Sequence, residues 1–345
     1  MKPSFRWFGD DDVIPLEHIR QIPGVETIVS AVYDVKVGEA WTKERVSRLQ
    51  QQIAAADLTL GVVESIPVHE DIKLGNQNRE RWTDNYCESI RVLGELGIPV
   101  LCYNFMPVFD WTRTDLHREL DDGSFALAYD DQALSKIDLG RGTSDLPGWA
   151  AAYSADELAA LLAAYKQVDV EKLWDNLVWF LERVVPAAES AGVRMAIHPD
   201  DPPWPIFGLP RIMTNAAAIE RLLNAVDSPA NGITFCTGSL GASADNDLPN
   251  MIRAARERIP FVHCRNVKRS ATHDFQEVAH PSRFGDVDML NVMRALRDIQ
   301  FDGYMRPDHG RMIWGEEGRP GYGLYDRALG AMYLQGLWEA VDSER

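Results

Sequence analysis

The alternation of short apolar runs with amphipathic stretches constrains the fold of this chain more than any other feature of its sequence. Runs rich in β-branched and apolar residues recur at intervals that leave room for a helix between them. Seven of these candidate strands are ETIVSAV from 26, LTLGVVES from 58, IPVLCYNF from 98, VRMAIHP from 193, NGITFCTG from 231, IPFVHCRNV from 259 and DGYMRPDH from 302. FRWFG from residue 5 supplies an eighth.

The stretches between these runs have helical periodicity. Clear examples are TKERVSRLQQQIAAA from 42, NRERWTDNYCESIRVLGELG from 78, AAAIERLLNAV from 216 and DMLNVMRALRDI from 288. Eight β-plus-α units favour a closed (β/α)8 barrel, or TIM barrel, over an open doubly wound sheet. Neither GxGxxG nor GxxxxGK[ST] follows any of the strands, which removes the main reason to expect a nucleotide-binding sheet. The sequence therefore predicts an α/β protein with a single TIM barrel.

A long insertion, residues 106–152, separates the fourth predicted strand from the next helix. Loops of this length in compact domains are usually functional or disordered. Its aromatic residues include Phe109, Trp111, Phe125 and Tyr129. These side chains argue against disorder, and in a barrel the loops after the strands lie on the catalytic face. We expect one domain, residues 1–345, with the insertion on that face as either a lid or a dimer contact.

Net charge limits the partners of the chain. The formal charge of -17 at pH 7 argues against nucleic acid or an anionic membrane, because either would need a basic face. Residues 261–320 nevertheless carry nine Lys and Arg against nine Asp and Glu, so a local site for a small anion is possible there.

Targeting signals and a disulfide framework are not evident in the sequence. No signal-peptide core follows the first residues, and no run of about 18 apolar residues occurs. The four cysteines are too few and too scattered for a disulfide scaffold. We expect a cytoplasmic protein with no membrane partner.

Polar side chains stand at the ends of four consecutive predicted strands. They are His198, Cys236, His263 and Asp308. Strands of a parallel barrel are apolar except at their carboxyl ends, so these four should meet at one rim. Each alone has an ordinary structural explanation, but imidazole, thiol, imidazole and carboxylate together favour a divalent metal site. The donor types leave Zn²⁺, Fe²⁺ and Mn²⁺ open.

The two-residue period of a strand indicates which neighbours share this rim. Arg265 falls on the same face as His263, and Arg306 on the same face as Asp308. Cys264 points towards the helix layer and is typical of core packing.

Several long strings resemble one known family along nearly the whole chain. They are RWFG at 6–9, VVESIPVHEDIK at 62–73, CYNFMPVFDWTRTDL at 102–116, HPDDPP at 198–203, TFCTGSLGA at 234–242, RPDHG at 306–310 and GYGLYDRALG at 321–330. The chain thereby resembles the mannonate dehydratases, metal-dependent lyases that convert D-mannonate to 2-keto-3-deoxygluconate and water in hexuronate (glucuronate) breakdown.

This resemblance implies further properties. It implies a xylose-isomerase-like barrel, usually a homodimer, that binds a small anionic sugar acid. It also implies Mn²⁺ or Fe²⁺ at the four strand-end residues and catalytic roles for His309 and Tyr322.

The expected reaction removes a proton beside a carboxylate and expels hydroxide from the next carbon. A divalent cation can stabilise the enediolate-like charge, and Arg306 can clamp the carboxylate. His309 and Tyr322 are the expected acid/base pair, with the choice of base left open. Weaker candidates for substrate contact, which could equally be scaffolding, are Arg265, His69 and Asn104.

Two other functions compete with this interpretation. A sugar isomerase on the same barrel would also use a metal, but such enzymes favour carboxylate-rich, two-metal sites, whereas this chain offers a thiolate. A non-catalytic metal-binding or sugar-acid-binding protein gives no reason for Arg306, His309 and Tyr322 to crowd the rim.

Overall fold

The computed structural model describes residues 1–137, 139, 148–150 and 153–344. Its strands are β1 (Lys2–Arg6), β2 (Thr27–Ser30), β3 (Thr59–Glu64), β4 (Val100–Tyr103), β5 (Phe109–Thr112), β6 (Asp115–Glu119), β7 (Phe125–Tyr129), β8 (Gly148–Ala150), β9 (Arg194–Ile197), β10 (Asn231–Cys236), β11 (Phe261–Cys264), β12 (Asn266–Ala271), β13 (Asp274–Val278) and β14 (Tyr304–Pro307). Its helices are α1 (Leu16–Arg20), α2 (Lys43–Ala54), α3 (Glu70–Leu74), α4 (Arg79–Glu95), α5 (Asp131–Leu134), α6 (Ala155–Tyr165), α7 (Val170–Ala191), α8 (Ala216–Ala225), α9 (Thr237–Gly241), α10 (Leu248–Ala255), α11 (Met289–Asp298) and α12 (Tyr325–Asp342).

Eight of the described strands close into a parallel barrel. They follow one another around it in chain order, as β1, β2, β3, β4, β9, β10, β11 and β14, and β14 pairs back onto β1. The predicted TIM barrel is therefore confirmed. The first strand was placed a few residues too late, because β1 spans Lys2–Arg6 and the chain after it is held in a loop by Asp12, whose carboxylate accepts the N–H of Phe8.

Amphipathic helices cover the outside of the barrel, and α2 illustrates how the sequence specifies them. Thr42 caps its start by accepting the N–H of Arg45. Val46, Leu49 and Ile53 are buried, at spacings of three and four that place them on one face. The four clearest predicted helical segments correspond to α2, α4, α8 and α11. Among the described helices, none is long and apolar enough to cross a membrane.

The barrel interior is apolar below and polar at its mouth. An internal cluster, separate from the core under the helices, contains Val29, Val62, Val100, Cys102 and Phe261. The next inward residue after Phe261 on its strand is a histidine, and the two rings are in contact, with centroids 4.5 Å apart. This alternation puts polar side chains directly above the apolar floor.

Strand register confirms which residues share the mouth. His263 lies beside Cys236 on one side and Arg306 on the other. Cys264 belongs instead to the core between the strands and the helices, as the two-residue period predicts.

The insertion after β4 is built largely from antiparallel strands in its described part. β5 pairs with β8, and β6 and β7 join β12 and β13 in a four-stranded antiparallel sheet. Phe275 of β13 pairs with Tyr129 of β7. Residues 138, 140–147 and 151–152 of the predicted insertion lie outside the described residues. The β12–β13 hairpin was not predicted, and it connects the insertion to the chain just after β11.

Candidate active site

A cavity of about 500 Å³ opens at the carboxyl ends of the barrel strands. Residues from both halves of the barrel and from the insertion line it. The predicted site residues in its lining are Asn104, His198, Arg306, Asp308, His309 and Tyr322. The fold thus brings most of the predicted site together around one space.

Three of the predicted metal ligands form a compact donor cluster. One ligand atom each from His198, Cys236 and His263 can be chosen so that all lie within 4.8 Å of one another. Nε2 of His198 is 3.2 Å from Nδ1 of His263. His198 follows β9 directly, Cys236 ends β10 and His263 lies in β11, so three adjacent strands supply the cluster.

Asp308 completes the set from the end of β14. Its Oδ2 is 3.6 Å from Sγ of Cys236, and its Oδ1 is 3.6 Å from Nδ1 of His263. All four residues predicted from the strand ends therefore meet, although their sequence spacings match no local motif.

The charges around the cluster favour the deprotonated states of Cys236 and Asp308, which are the states that bind metals. Burial and Asp308 would raise the pKa of Cys236, but Arg265 and hydrogen bonds with the two histidines hold it well below its usual range. Burial would likewise raise the pKa of Asp308, and His309 with nearby arginines holds it well below. Thiolate and carboxylate are the forms that bind cations.

The donor set fits a resident divalent cation. Nδ1 of His263 faces Nε2 of His198 at 3.2 Å and Oδ1 of Asp308 at 3.6 Å, so donor atoms of three buried or half-buried residues are directed at one another. Mixed N, S and O donors suit a borderline cation and do not select among Mn²⁺, Fe²⁺ and Zn²⁺.

His309 and Tyr322 form a hydrogen-bonded pair beside this cluster. Nε2 of His309 is 3.0 Å from the hydroxyl of Tyr322, and Nδ1 is 2.9 Å from Oε1 of Glu277. Burial alone would raise the pKa of Glu277, but His309 and two arginines lower it to about 2. An ionised Glu277 only accepts, so Nδ1 donates to it. In the neutral imidazole, Nε2 then accepts the proton of the Tyr322 hydroxyl.

Glu277 is a site residue that the sequence did not reveal. It lies on β13, in the unpredicted hairpin, and no motif surrounds it. Arg113 of the insertion also binds it, with Nη2 2.8 Å from Oε1, and forms a two-point ion pair with Asp201 at 2.9 Å for each contact. Nη1 of Arg265 is 2.6 Å from the same Oε1, so arginines from two separate segments fix the carboxylate that orients His309.

Arg306 and Arg265 are already paired with carboxylates. Nη2 of Arg306 is 3.0 Å from Oε1 of Glu64 and 2.9 Å from Oδ1 of Asp308. Nη2 of Arg265 is 2.7 Å from Asp201, and its Nε is 3.1 Å from Asp308.

Arg265 lies behind the cavity wall rather than in it, and its contact with substrate stays a prediction. The lining formed by the described residues does not include it. Gly238 makes this position possible, because a Cβ there would stand 2.0 Å from Nε of Arg265. The arginine packs against two of the predicted ligands, Cys236 and Asp308.

His69 also lies outside this lining, and its contact with substrate stays a prediction. It caps the start of α3, where its Nδ1 accepts the N–H of Asp71 at 3.0 Å, and its ring stacks on Trp82 at 4.5 Å. These contacts hold it away from the cavity lining as described. Asn104 does line the cavity, and its Oδ1 accepts the N–H of Met106 at 3.2 Å.

The first half of the barrel contributes lining residues that sequence reasoning had not singled out. They include Arg6, Phe8, Tyr33 and Glu64. Arg6 and Glu64 each end a barrel strand, as the predicted metal ligands do, so strand-end position was the available signal. Arg6 and Phe8 lie in RWFG, and Glu64 in VVESIPVHEDIK, which otherwise served only to mark the family.

Fold and site together define a (β/α)8-barrel protein with a cation-type donor cluster at its mouth and an adjacent His–Tyr pair. Comparison with known proteins identifies the family. The model of the D-mannonate dehydratase (UxuA) family matches residues 1–345. Mannonate dehydratase 2 of Halalkalibacterium halodurans is 55% identical over 345 residues, 99% of this chain and 100% of that protein. The chain therefore belongs to the D-mannonate dehydratase family.

Solved structures agree with this assignment. The crystal structure of mannonate dehydratase from Streptococcus suis serotype 2 superposes with a TM-score of 0.93 at 50% identity, covering 99% of this chain and 95% of that one. A xylose isomerase domain protein from Planctomyces limnophilus has a TM-score of 0.57 at 14% identity, covers 99% of each chain and shares the fold. The predicted family, barrel type and reaction class, a carbon–oxygen lyase, are confirmed.

Proposed function

We propose that this chain dehydrates D-mannonate to 2-keto-3-deoxy-D-gluconate and water with a divalent cation, Mn²⁺ or Fe²⁺. The observation that carries the proposal is the placement of the Glu277–His309–Tyr322 hydrogen-bond chain beside the donor cluster, in one cavity. The names of full-length relatives more than 50% identical to the chain support the same substrate.

His198, Cys236, His263 and Asp308 would hold the cation. When bound, it supplies positive charge that stabilises negative charge developing beside the substrate carboxylate. The same donors would also accept Zn²⁺.

The His–Tyr pair performs the proton transfers in this proposal. Nε2 of His309 takes the proton from the carbon beside the carboxylate, because Glu277 keeps the proton on Nδ1. Tyr322 gives its phenolic proton to the hydroxide that leaves the next carbon, so water departs and the resulting enol becomes the keto acid. Burial and Asp308 raise the pKa of Tyr322 above its ordinary value, which keeps the phenol protonated until it is needed.

Arg306 has a supporting part. From sequence it was expected to clamp the substrate carboxylate, yet its guanidinium is shared by Glu64 and Asp308. We assign it to holding these two carboxylates in place, next to His263.

The proposal is tested with chelator-treated protein supplied with D-mannonate alone or with Mn²⁺ or Fe²⁺. Appearance of the 2-keto-3-deoxy product only with a metal is expected. His309→Gln and Tyr322→Phe should each lower kcat by about 10²- to 10⁴-fold while metal content is unchanged. Turnover without metal, or none with any divalent ion, would contradict the proposal, and full activity of either variant would remove that residue from it.

Assembly as a homodimer in the cytoplasm, a single domain over residues 1–345 and a place in glucuronate breakdown stay predictions. The homodimer and the place in glucuronate breakdown rest on family resemblance. Light scattering of the purified full chain measures the first directly.

A further inference from the structure

Arg6 differs from the other arginines around the cavity. It is the last residue of β1, its side chain lines the cavity with His309 and Tyr322, and it is only 7% exposed. Its Nη1 is buried without a hydrogen-bond partner among the described residues. A buried guanidinium is costly unless an anion accepts its N–H groups.

Aromatic rings hold this side chain, although its charge also helps to lower the pKa of Glu64. The centre of its guanidinium is 4.7 Å from the ring centroid of Phe8 and 6.0 Å from that of Tyr33. The contacts fix its position but leave N–H groups able to donate. Arg306 and Arg265, in contrast, each form ion pairs with two or more acids. In the described residues, Arg6 has no ion pair of that kind.

The acids that line the cavity favour such a group as the partner of an anionic ligand. Four carboxylates line it, those of Glu64, Asp110, Asp201 and Asp308. Arg306, Arg265 and Arg113 already pair with three of these acids, so a carboxylate ligand needs a further guanidinium, and a planar guanidinium offers it two parallel N–H groups.

We propose that Arg6 binds the carboxylate of the substrate, in place of Arg306. The inference rests on the proposed function and extends it, since it names the residue that selects an acid over a neutral sugar. Phe8 links this subsite to the chemistry, because its ring also contacts Tyr322 edge to face at 4.7 Å. One ring therefore positions both the anion-binding arginine and the phenol.

The test compares two unreactive ligands on the metal-loaded full chain by calorimetry. One is the 3-deoxy analogue of the aldonate, which has no hydroxide to lose, and the other is its uncharged primary amide. Arg6→Met should weaken binding of the carboxylate about 100-fold and of the amide less than threefold. Arg6→Lys keeps the charge but not the two-point geometry and should lose about 10-fold.

Arg319→Met is the matched control. Arg319 is exposed, and its guanidinium lies 4.2 Å from the centroid of the same Phe8 ring. Replacing it therefore measures the effect of removing any positive charge near the mouth of the cavity. Its Kd values for both ligands should stay within threefold of wild type.

Equal weakening of both ligands in Arg6→Met, or none, would overturn the assignment. If thermal unfolding shows that Arg6→Met does not fold, the Arg6→Lys variant decides, and an unchanged Kd for the carboxylate overturns it. The proposed reaction is judged separately, by turnover of D-mannonate in the wild type. The wild type could bind the carboxylate more tightly than the amide through Arg6 and still show no turnover of D-mannonate. That result would refute the proposed reaction but not the role of Arg6 in binding the carboxylate.

Discussion

The two halves of the barrel bring different chemistry to one cavity. The second half, β9 to β14, supplies the imidazole, thiolate and carboxylate donors and the His–Tyr pair. The first half, β1 to β4, supplies the ring-held Arg6, Glu64 and Asn104. In our proposals the second half holds the cation and performs proton transfer, and the first half recognises the charge of the substrate. Cation binding and substrate recognition should therefore be separable by mutation.

The largest effect should come from a donor in the second half. Cys236→Ser should lose the metal and lower kcat by about 1000-fold, because the charge stabilisation that a metal supplies is worth several kcal/mol. Elemental analysis and steady-state kinetics measure the two losses together. Cys264→Ala, one strand away but facing the helix layer, is the control: it should keep the metal and cost about 1 to 2 kcal/mol of stability. Full metal content in the Cys236→Ser protein would contradict the assignment of cation binding to the second half of the barrel.

An intermediate effect is expected at Glu277. Glu277→Gln should lower kcat about 10- to 100-fold with little change in KM, because the amide no longer requires Nδ1 of His309 to donate. Metal content should be unaffected, which separates orientation of His309 from loss of the cation. Asp274→Asn on the same hairpin keeps an oxygen to accept the N–H of Asp131 and should be nearly neutral. Unchanged kcat in a folded Glu277→Gln protein would remove this carboxylate from the mechanism.

The smallest effect is expected at His69, which belongs to the first half but lies outside its cavity surface. Asparagine also caps helices, so His69→Asn should preserve α3 and leave kcat/KM within threefold of wild type. Steady-state kinetics with D-mannonate test this. A tenfold rise in KM would return His69 to the substrate site and extend the recognition surface.

Sequence predicted the barrel because a period of two and a period of 3.6 alternate cleanly along the chain. It predicted the donor cluster because polar residues interrupt apolar strands at positions such as His198 and Cys236, and parallel strands bring their carboxyl ends to one rim. The four donors do meet, although no pair of them is close in sequence.

The roles of the remaining site residues could not be predicted, because they depend on which side chains the fold pairs with one another. Whether an arginine can receive a substrate is decided by its acidic neighbours, and strand periodicity places Arg306 and Arg265 on the inner face without revealing those neighbours. Glu277 was not found because its hairpin is short, and its partner strand β7 lies about 150 residues earlier.

The four-stranded sheet shared by the insertion and the β12–β13 hairpin bears on how this enzyme family can be engineered. Loops on barrel enzymes are commonly exchanged one at a time, as interchangeable modules. Here the loop after the fourth barrel strand and the loop after the seventh each contribute two strands to the same sheet. Arg113, in the loop after the fourth strand, also binds Glu277, in the loop after the seventh, at 2.8 Å. Grafting only one of these loops onto another barrel would leave its two strands without their partner strands. The two loops therefore have to be transplanted, shortened or diversified together.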